Sequence, residues 1–343
     1  MADTERLGRH RQAQPEEATP GRWTGRRLAA IITAMCVSAA AAFGVYDVWF
    51  STGGGSGSGA GLPTTSASYV GFYSHGVPDS FTGIKAFTAS TGIKPGVLVY
   101  YSGWMEPFQV RFARTVASEG AVPLVQINPT GIDLTKITDG HYDSYLRAYA
   151  QAVRNYGHPV IVSFGHEMNG SWYSWGYTHT SPATFVAAWR HIVSLFRTLG
   201  AANVTWMWTV NTTTQGQPGA GTGQAQTNVP SPGPWWPGSS YVDWVGIDGY
   251  YTSPSSMFAS IFGPTITQVR AITRKPLIIA ETAATAAADQ PEKISDIFAG
   301  VRLYSLLGFI WFNSVHDLDW RVQGAASAAA FRRGAATFNL AKQ

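Results

Sequence analysis

The chain has 343 residues, of which 45% are hydrophobic and only 13% are charged. This composition excludes a chain that is disordered throughout, because disorder requires low hydrophobicity and high charge. Six of the 24 basic and four of the 20 acidic residues lie in residues 1–27, so the remainder has a net charge of +2 and gives no reason to expect nucleic-acid binding. The single cysteine, Cys36, can build neither a disulfide framework nor a cysteine-based metal site.

The N-terminal region predicts export. Residues 28–45 carry no charge and follow Arg26 and Arg27, and this length can cross a bilayer with the basic side in the cytoplasm. We therefore interpret residues 1–27 as a cytoplasmic tail and residues 28–50 as a transmembrane signal anchor, which places the rest of the chain outside the cell membrane. The alternative is a signal peptide that is cleaved, so that the chain is secreted.

Residues 51–68 are rich in Gly and Ser and are interpreted as a flexible linker. From residue 69 onward, short apolar runs alternate with longer segments of helical spacing, as in a parallel sheet covered by helices. The predicted strands are residues 69–74, 97–101, 122–127, 159–164, 203–210, 242–247, 276–280 and 308–312. The predicted helices are residues 106–118, 141–156, 182–199, 256–272, 291–306 and 325–338. The fold class is therefore α/β, with one (β/α)₈ TIM barrel in residues 69–343.

One segment departs from this alternation. Residues 212–240 are rich in Gly, Gln and Pro and show no helical spacing where the fifth barrel helix belongs. We expect a long loop near the active-site rim, ending in a short turn around Trp235 and Trp236.

Two glutamates end predicted strands. Glu167 follows the fourth apolar run and Glu281 follows the seventh. The reacting groups of a TIM barrel lie at the carboxyl ends of its strands, and a carboxylate is costly to bury there unless it is paired. A salt bridge or a helix cap is the structural alternative for either residue. Two such carboxylates facing one cleft are the pair of groups that glycoside hydrolysis requires.

Aromatic residues accompany both glutamates, and the apolar faces of sugar rings stack on such side chains. Core packing accounts for most of the 13 Trp. Trp172, which follows Glu167, and Trp311, on the eighth predicted strand, are the two that we assign to sugar binding.

The sequence lacks the residues that other catalytic mechanisms require. The run from His166 to Gly170 begins like a zinc-protease motif but has no second histidine four positions on. A Gly-x-Ser-x-Gly elbow is absent. His316, Asp317 and Asp319 lie in a polar segment and are interpreted as solvated or hydrogen-bonded. We expect neither a metal nor a cofactor.

Four segments together resemble glycoside hydrolase family 26. They are residues 164–176 (FGHEMNGSWYSWG), 236–250 (WPGSSYVDWVGIDGY), 275–282 (KPLIIAET) and 310–313 (IWFN). The resemblance implies a retaining β-mannanase or mixed-linkage β-glucanase on a (β/α)₈ barrel.

The resemblance also implies residue roles. It makes Glu167 the acid/base and Glu281 the nucleophile. It makes His166 the residue that orients the reacting sugar and the nucleophile. The other implied substrate-binding residues are Trp172 on the leaving-group side, Asp248 in support of the sugar site, Tyr250 as a hydrogen-bond donor to the nucleophile, and Trp311 as the platform under the cleaved sugar.

The expected function is an endo-acting β-1,4-mannanase that works by double displacement on a β-linked polysaccharide. A β-1,3-1,4-glucanase on the same scaffold is the first alternative, because the two substrates differ in the orientation of one hydroxyl. A barrel that binds carbohydrate at the cell surface without cleaving it is an alternative from another class. We expect a monomer.

Overall fold

The computed structural model describes residues 61–215 and 229–340. The predicted cytoplasmic tail, the signal anchor and most of the predicted linker lie outside the described residues, as does the middle of the 212–240 loop. Within the described ranges, no helix has both the length and the apolar character that a membrane crossing requires.

Eight parallel strands close into a barrel in the order β1 to β8, so the predicted TIM barrel is confirmed. The strands are β1 (Tyr69–Ser74), β2 (Val97–Gly103), β3 (Val122–Asn128), β4 (Val160–Phe164), β5 (Val204–Asn211), β6 (Trp244–Asp248), β7 (Leu277–Thr282) and β8 (Gly308–Asn313). The helices are α1 (Thr82–Thr91), α2 (Val110–Ser118), α3 (Thr135–Thr138), α4 (Asp143–Tyr156), α5 (Pro182–Thr198), α6 (Phe258–Ile272), α7 (Gln290–Leu303) and α8 (Gly324–Ala335).

Helix α1 was not predicted from the sequence, although it occupies the first barrel position. Its ten residues include a glycine and four Thr or Ser, which are weak helix formers. Tertiary packing forms it nevertheless: Ile84 and Phe87 are buried, and the Phe87 ring stacks on Phe72 of β1 with centroids 4.1 Å apart.

The described part of the connection between β5 and β6 contains no α-helix, as the sequence predicted. It contains two 3-10 turns, Gly233–Trp235 and Ser239–Tyr241. Trp235 and the ring of Trp236 pack against the barrel wall, and the Trp236 ring meets that of Trp208 on β5 at 5.1 Å. Trp235, which is buried, and Trp236, which is partly buried, therefore cover part of the barrel wall that a fifth helix would cover.

The strands separate two cores because alternate side chains of a strand point to opposite faces. The inner core fills the barrel with residues such as Val99, Leu124, Met207 and Ile278. The outer core lies between the strands and the helices and is larger. A filled interior leaves space for a ligand only at the strand ends.

Strand β8 shows which side of the sheet each aromatic occupies. Ile310 belongs to the inner core, whereas Phe309 and Trp311 belong to the outer core. Trp311 is fully buried, packs edge-on against Phe331 of α8 at 5.2 Å, and donates its indole N–H to the Trp320 carbonyl at 3.1 Å. The expectation that Trp311 forms a sugar platform is wrong, because strand alternation directs its side chain toward the helices.

Barrel closure between β1 and β8 depends on Gly308. A Cβ at this position would lie 2.0 Å from the backbone oxygen of Tyr69, which cannot move without breaking the strand pair. We expect Gly308→Ala to lower the free energy of unfolding by about 1–3 kcal/mol, measured by urea unfolding. Gly96→Ala is the matched control, since its Cβ would meet only the Tyr69 ring at 3.8 Å. Equal stability of the two variants would contradict this account.

The position of Trp311 gives a second prediction. Trp311→Ala leaves a cavity against Phe331 and should lower the free energy of unfolding by about 3–5 kcal/mol. Phe312→Ala, next along β8 and only partly buried, should lower it by less. Urea unfolding of both variants tests this, and a loss below about 1 kcal/mol for Trp311→Ala would mean that the side chain is not a core residue.

Candidate active site

A cavity of about 310 Å³ opens at the carboxyl ends of the strands. Four of the seven predicted site residues line it: His166, Glu167, Tyr250 and Glu281. The structure thus brings the two predicted glutamates into one cavity, although 114 positions separate them in the sequence.

Glu167 reaches the cavity from a tight turn that follows β4. Its φ is +55°, a conformation that is uncommon outside glycine and that is often associated with active sites. The Glu167 amide donates to the Thr209 carbonyl of β5 at 3.0 Å, which fixes the turn to the neighbouring strand. The carboxylate accepts from Asn211 Nδ2 at 2.6 Å on one oxygen and from Trp172 Nε1 at 2.7 Å on the other.

Trp172 takes its position from a close approach to Gly170. A Cβ on Gly170 would lie 2.3 Å from the indole ring, so only glycine leaves room for it. The ring is partly exposed, and its N–H is directed at Glu167. Trp172 does not line the cavity that holds the two glutamates, but it contacts Glu167 through this hydrogen bond.

Glu281 reaches the cavity because β7 is irregular. Ile278 and Ala280 point into the barrel, so regular alternation would direct Glu281 toward the helices. The pairing of β7 shifts register on both sides, between Ile279 and Glu281 against β6 and between Ile279 and Thr282 against β8. Such bulges re-aim side chains next to active sites. Here the bulge turns a carboxylate inward.

Two tyrosine hydroxyls hold the Glu281 carboxylate. Tyr101, at the end of β2, donates to Oε2, and Tyr250, just after β6, donates to Oε1. Burial and the Glu281 charge raise the pKa of both tyrosines well above 10, so both remain protonated donors. Tyr250 therefore makes the contact that the resemblance implied.

Asp248 lies beside Glu281 at the end of β6 and is fully buried. Neither of its carboxyl oxygens has a hydrogen-bond partner among the described residues. Burial first, and then the charges of Glu281 and Glu167, raise the pKa of Asp248 well above its usual value. Burial without a donor therefore favours the uncharged form of Asp248.

The surroundings give the two glutamates different protonation states. Burial and the Glu281 charge raise the pKa of Glu167 to about 8, although the Asn211 and Trp172 hydrogen bonds lower it. Burial also raises the pKa of Glu281, but the two tyrosine hydroxyls and His316 oppose this. Glu281 is thus the carboxyl that ionises first, and Glu167 keeps its proton at neutral pH. Such a separation identifies an acid and a base or nucleophile.

His166 is a neutral hydrogen-bonding group. Burial lowers its pKa to about 3. Its Nε2 lies 3.3 Å from the Tyr173 hydroxyl, and its ring packs against Tyr101 and Trp175. Because Tyr101 holds Glu281, His166 supports the Glu281 side of the cavity through this contact.

Other aromatics form the wall where Trp311 was expected. Phe312 stacks on Tyr73 at 4.8 Å, and Trp320 packs on Tyr250 at 4.5 Å; all four line the cavity. His316 completes this rim, with its Nδ1 2.9 Å from the Asp317 carboxylate. The predicted hydrogen bonding of His316 is confirmed, and its place at the cavity was not predicted.

Sequence reasoning missed Tyr101 and Asn211, which contact the two glutamates directly. Both lie at or near the ends of apolar runs, so the rule that singled out the glutamates applies to them as well. Within residues 61–215 and 229–340, no group of three or more His, Cys, Asp or Glu side chains could hold a metal ion.

The chain has relatives among known proteins. Endoglucanase H of Acetivibrio thermocellus is 30% identical over 276 residues, which cover 76% of this chain and 29% of that protein. The mannan endo-1,4-β-mannosidase of Bacillus subtilis strain 168 is 26% identical over 235 residues, covering 54% of this chain and 59% of that protein. The chain therefore spans less than two thirds of the length of either relative.

Among solved structures, a Cellulomonas fimi endo-β-1,4-mannanase double mutant superimposes with a TM-score of 0.61. The match covers 79% of this chain and 71% of that one at 16% identity, and so supports the fold. The sequence pattern of Glycosyl hydrolase family 26 matches residues 140–333, more than half of the chain and the part that contains both glutamates. The chain belongs to glycosyl hydrolase family 26.

Proposed function

We propose that this chain cleaves internal bonds of a β-1,4-linked mannan with retention of anomeric configuration. The observation that carries the proposal is that two carboxyls with unequal surroundings face one cavity: burial raises the pKa of Glu167 to about 8, whereas two tyrosine hydroxyls favour the ionised form of Glu281. Retaining glycosidases need one carboxyl of each kind.

In the first step, Glu167 transfers its proton to the glycosidic oxygen while that oxygen's bond to the anomeric carbon breaks. A Glu281 oxygen attacks the same carbon from the opposite face and forms an ester. The hydroxyls of Tyr101 and Tyr250 fix the carboxylate before attack. Positioning of this kind removes the entropy that free reactants would lose.

In the second step, the ionised Glu167 takes a proton from water. The water oxygen attacks the anomeric carbon, the ester bond breaks, and Glu281 leaves as a carboxylate. Two inversions at one carbon give retention. The aromatic wall of Phe312 and Trp320 offers a surface for the sugar ring that reacts.

Mannan is the first choice of polymer because of the relatives. Several are named mannan endo-1,4-β-mannosidase, including two proteins from Bacillus subtilis. The solved structures with this fold include mannanases from Bacillus subtilis and Cellulomonas fimi.

A mixed-linkage β-glucan is the second candidate, favoured by the match to Endoglucanase H over most of the barrel. The chain matches only 29% of that protein, so its name does not say which part carries the activity. For this reason we place glucan second.

The pKa of Glu167 predicts the alkaline limit of activity. The acid works only while protonated, so kcat/KM should fall as the pH rises through about 8. Trp172→Phe removes a hydrogen bond that stabilises the ionised form, which raises the pKa further. The alkaline limb should therefore move to higher pH. A pH profile of kcat/KM on an aryl β-mannobioside tests this.

Tyr250→Phe is the control for this profile. It removes a donor that lowers the pKa of Glu281, so it should move the acid limb to higher pH instead. A shift of the alkaline limb to lower pH in Trp172→Phe would contradict the assignment of Glu167 as the acid.

Substrate and nucleophile are tested together. We expect residues 61–343 to release reducing sugar from galactomannan more readily than from barley β-glucan, and Glu281→Ala to lower the rate by about 10⁴-fold or more. Urea unfolding of the variant checks that it folds. If reducing sugar is released from barley β-glucan alone, the substrate is mixed-linkage glucan and the mannan proposal is wrong. Polymer binding without release would indicate a non-catalytic barrel.

A further inference from the structure

Helix α7 contacts the loop that joins β6 to α6, residues 249–257. We propose that Lys293 and Asp296 of α7 are positioning residues, which hold this loop so that the Tyr250 hydroxyl stays on the Glu281 carboxylate. The described residues that line the catalytic cavity include neither of them. The inference rests on the proposed function and extends it, because it assigns part of the control of the nucleophile to residues outside the cavity.

Asp296 holds both ends of the loop. Its Oδ2 accepts from the Phe258 amide at 2.6 Å and from the Tyr251 hydroxyl at 3.3 Å. Phe258 is the first residue of α6, where backbone N–H groups have no partner inside the helix and a negative charge is favourable. Tyr251 follows Tyr250 directly. One carboxylate from a neighbouring helix therefore fixes the two positions between which the loop runs.

Lys293 holds the middle of the loop. Its side chain is fully buried, and the ammonium donates to the Pro254 carbonyl at 2.6 Å and to Met257 Sδ at 3.8 Å. Glu292 supplies the opposite charge, with its Oε1 3.2 Å from the ammonium. A buried ammonium is costly unless it is bonded, and an apolar side chain would fill the same space without that cost. The contact with the loop backbone explains why a lysine stands here.

The loop transmits this hold to Tyr250 through its neighbour. Tyr251 is fully buried with its hydroxyl on Asp296, whereas Tyr250 lines the cavity, so the two rings point to opposite sides of the barrel wall. The Tyr251 amide donates at 2.9 Å to the carbonyl of Ala283, two residues after Glu281. Rotation of Tyr251 would therefore turn the Tyr250 ring away from Glu281.

The groups that act on the charge of Glu281 lie at the cavity. They are Tyr73 on β1, Tyr101 on β2, Glu167 after β4, Asp248 and Tyr250 at and after the end of β6, and His316 after β8. Among the described residues, this set includes neither of the two α7 residues. We therefore expect α7 to affect the ionisation of Glu281 through Tyr250, whose hydrogen bond favours the ionised form.

The test removes the Asp296 carboxylate and follows the acid limb of the pH profile of kcat/KM. Asp296→Ala frees Tyr251, so Tyr250 donates less well and the pKa of Glu281 rises. The acid limb should move to higher pH by about half a pH unit. The value of kcat should fall about tenfold, with KM within about twofold of the wild type. The substrate is an aryl β-mannobioside or β-cellobioside, whichever the wild type cleaves.

Asp296→Asn is the matched variant, because it removes the same charge but keeps an oxygen where Oδ2 accepts. It should restore the wild-type acid limb and kcat. Loss of the negative charge alone would act in the opposite direction, since it would favour ionised Glu281 and move the limb to lower pH. Asp289, an exposed residue at the start of α7, provides the control: Asp289→Asn makes the same charge change away from the loop.

Two further variants locate the effect. Lys293→Met keeps an apolar stem but loses the donor to Pro254, so it should move the acid limb in the same direction, and it replaces Asp296→Ala if that variant does not fold. Asp296→Ala in the Tyr250→Phe background should add nothing to the shift of Tyr250→Phe alone, because the hydroxyl through which α7 acts is gone.

The outcomes separate the two proposals. An unchanged acid limb in Asp296→Ala and Lys293→Met, with a lower free energy of unfolding, would show that α7 only stabilises the fold. Equal shifts in Asp296→Ala and Asp296→Asn would assign the effect to charge, and an added shift in the Tyr250→Phe background would assign it to another path. Each of these results overturns the positioning role while the active wild type upholds the proposed function. A wild type that cleaves neither aryl glycoside overturns both.

Discussion

The repulsion among three carboxyls at the carboxyl ends of the strands is the constraint on which the rest of this site depends. Glu167 and Asp248 are buried at the strand ends and Glu281 is partly buried; the Glu281 charge raises the pKa of Glu167, and the charges of both glutamates raise that of Asp248. They cannot all ionise together. The protein resolves this by unequal hydrogen bonding: Asp248 receives no donor, while Glu281 receives two hydroxyls. The negative charge is therefore concentrated on Glu281.

Regular barrel geometry alone would not build this site. Alternation along β7 would direct Glu281 into the helix layer, and β4 ends before Glu167. A register shift in β7 and a left-handed residue after β4 bring the two carboxyls to the same side. The remaining strands keep their alternation and supply a filled, rigid base, so the irregularities are confined to the positions that carry reactive groups.

These irregularities also explain what the sequence could and could not predict. Apolar runs located all eight strands, and the rule that polar strand ends are reactive found Glu167 and Glu281. The inward turn of Glu281 depends on a bulge that no run of apolar residues reveals. Trp311 was misassigned because β8 has no such bulge, so plain alternation places Trp311 outside and Phe312 inside. The partners of the glutamates depend on which strand ends meet in the closed barrel.

The same repulsion accounts for the change of role that the proposed mechanism requires of Glu167. Burial and the Glu281 charge together raise its pKa, and these are the conditions under which it must donate a proton. Ester formation removes the charge of Glu281 and therefore one of the two causes. Burial is then the one remaining cause that raises the pKa of Glu167, and the hydrogen bonds from Asn211 and Trp172, which favour the ionised form, oppose it. The pKa of Glu167 falls at the stage when it must accept a proton from water, so a single electrostatic coupling serves both steps.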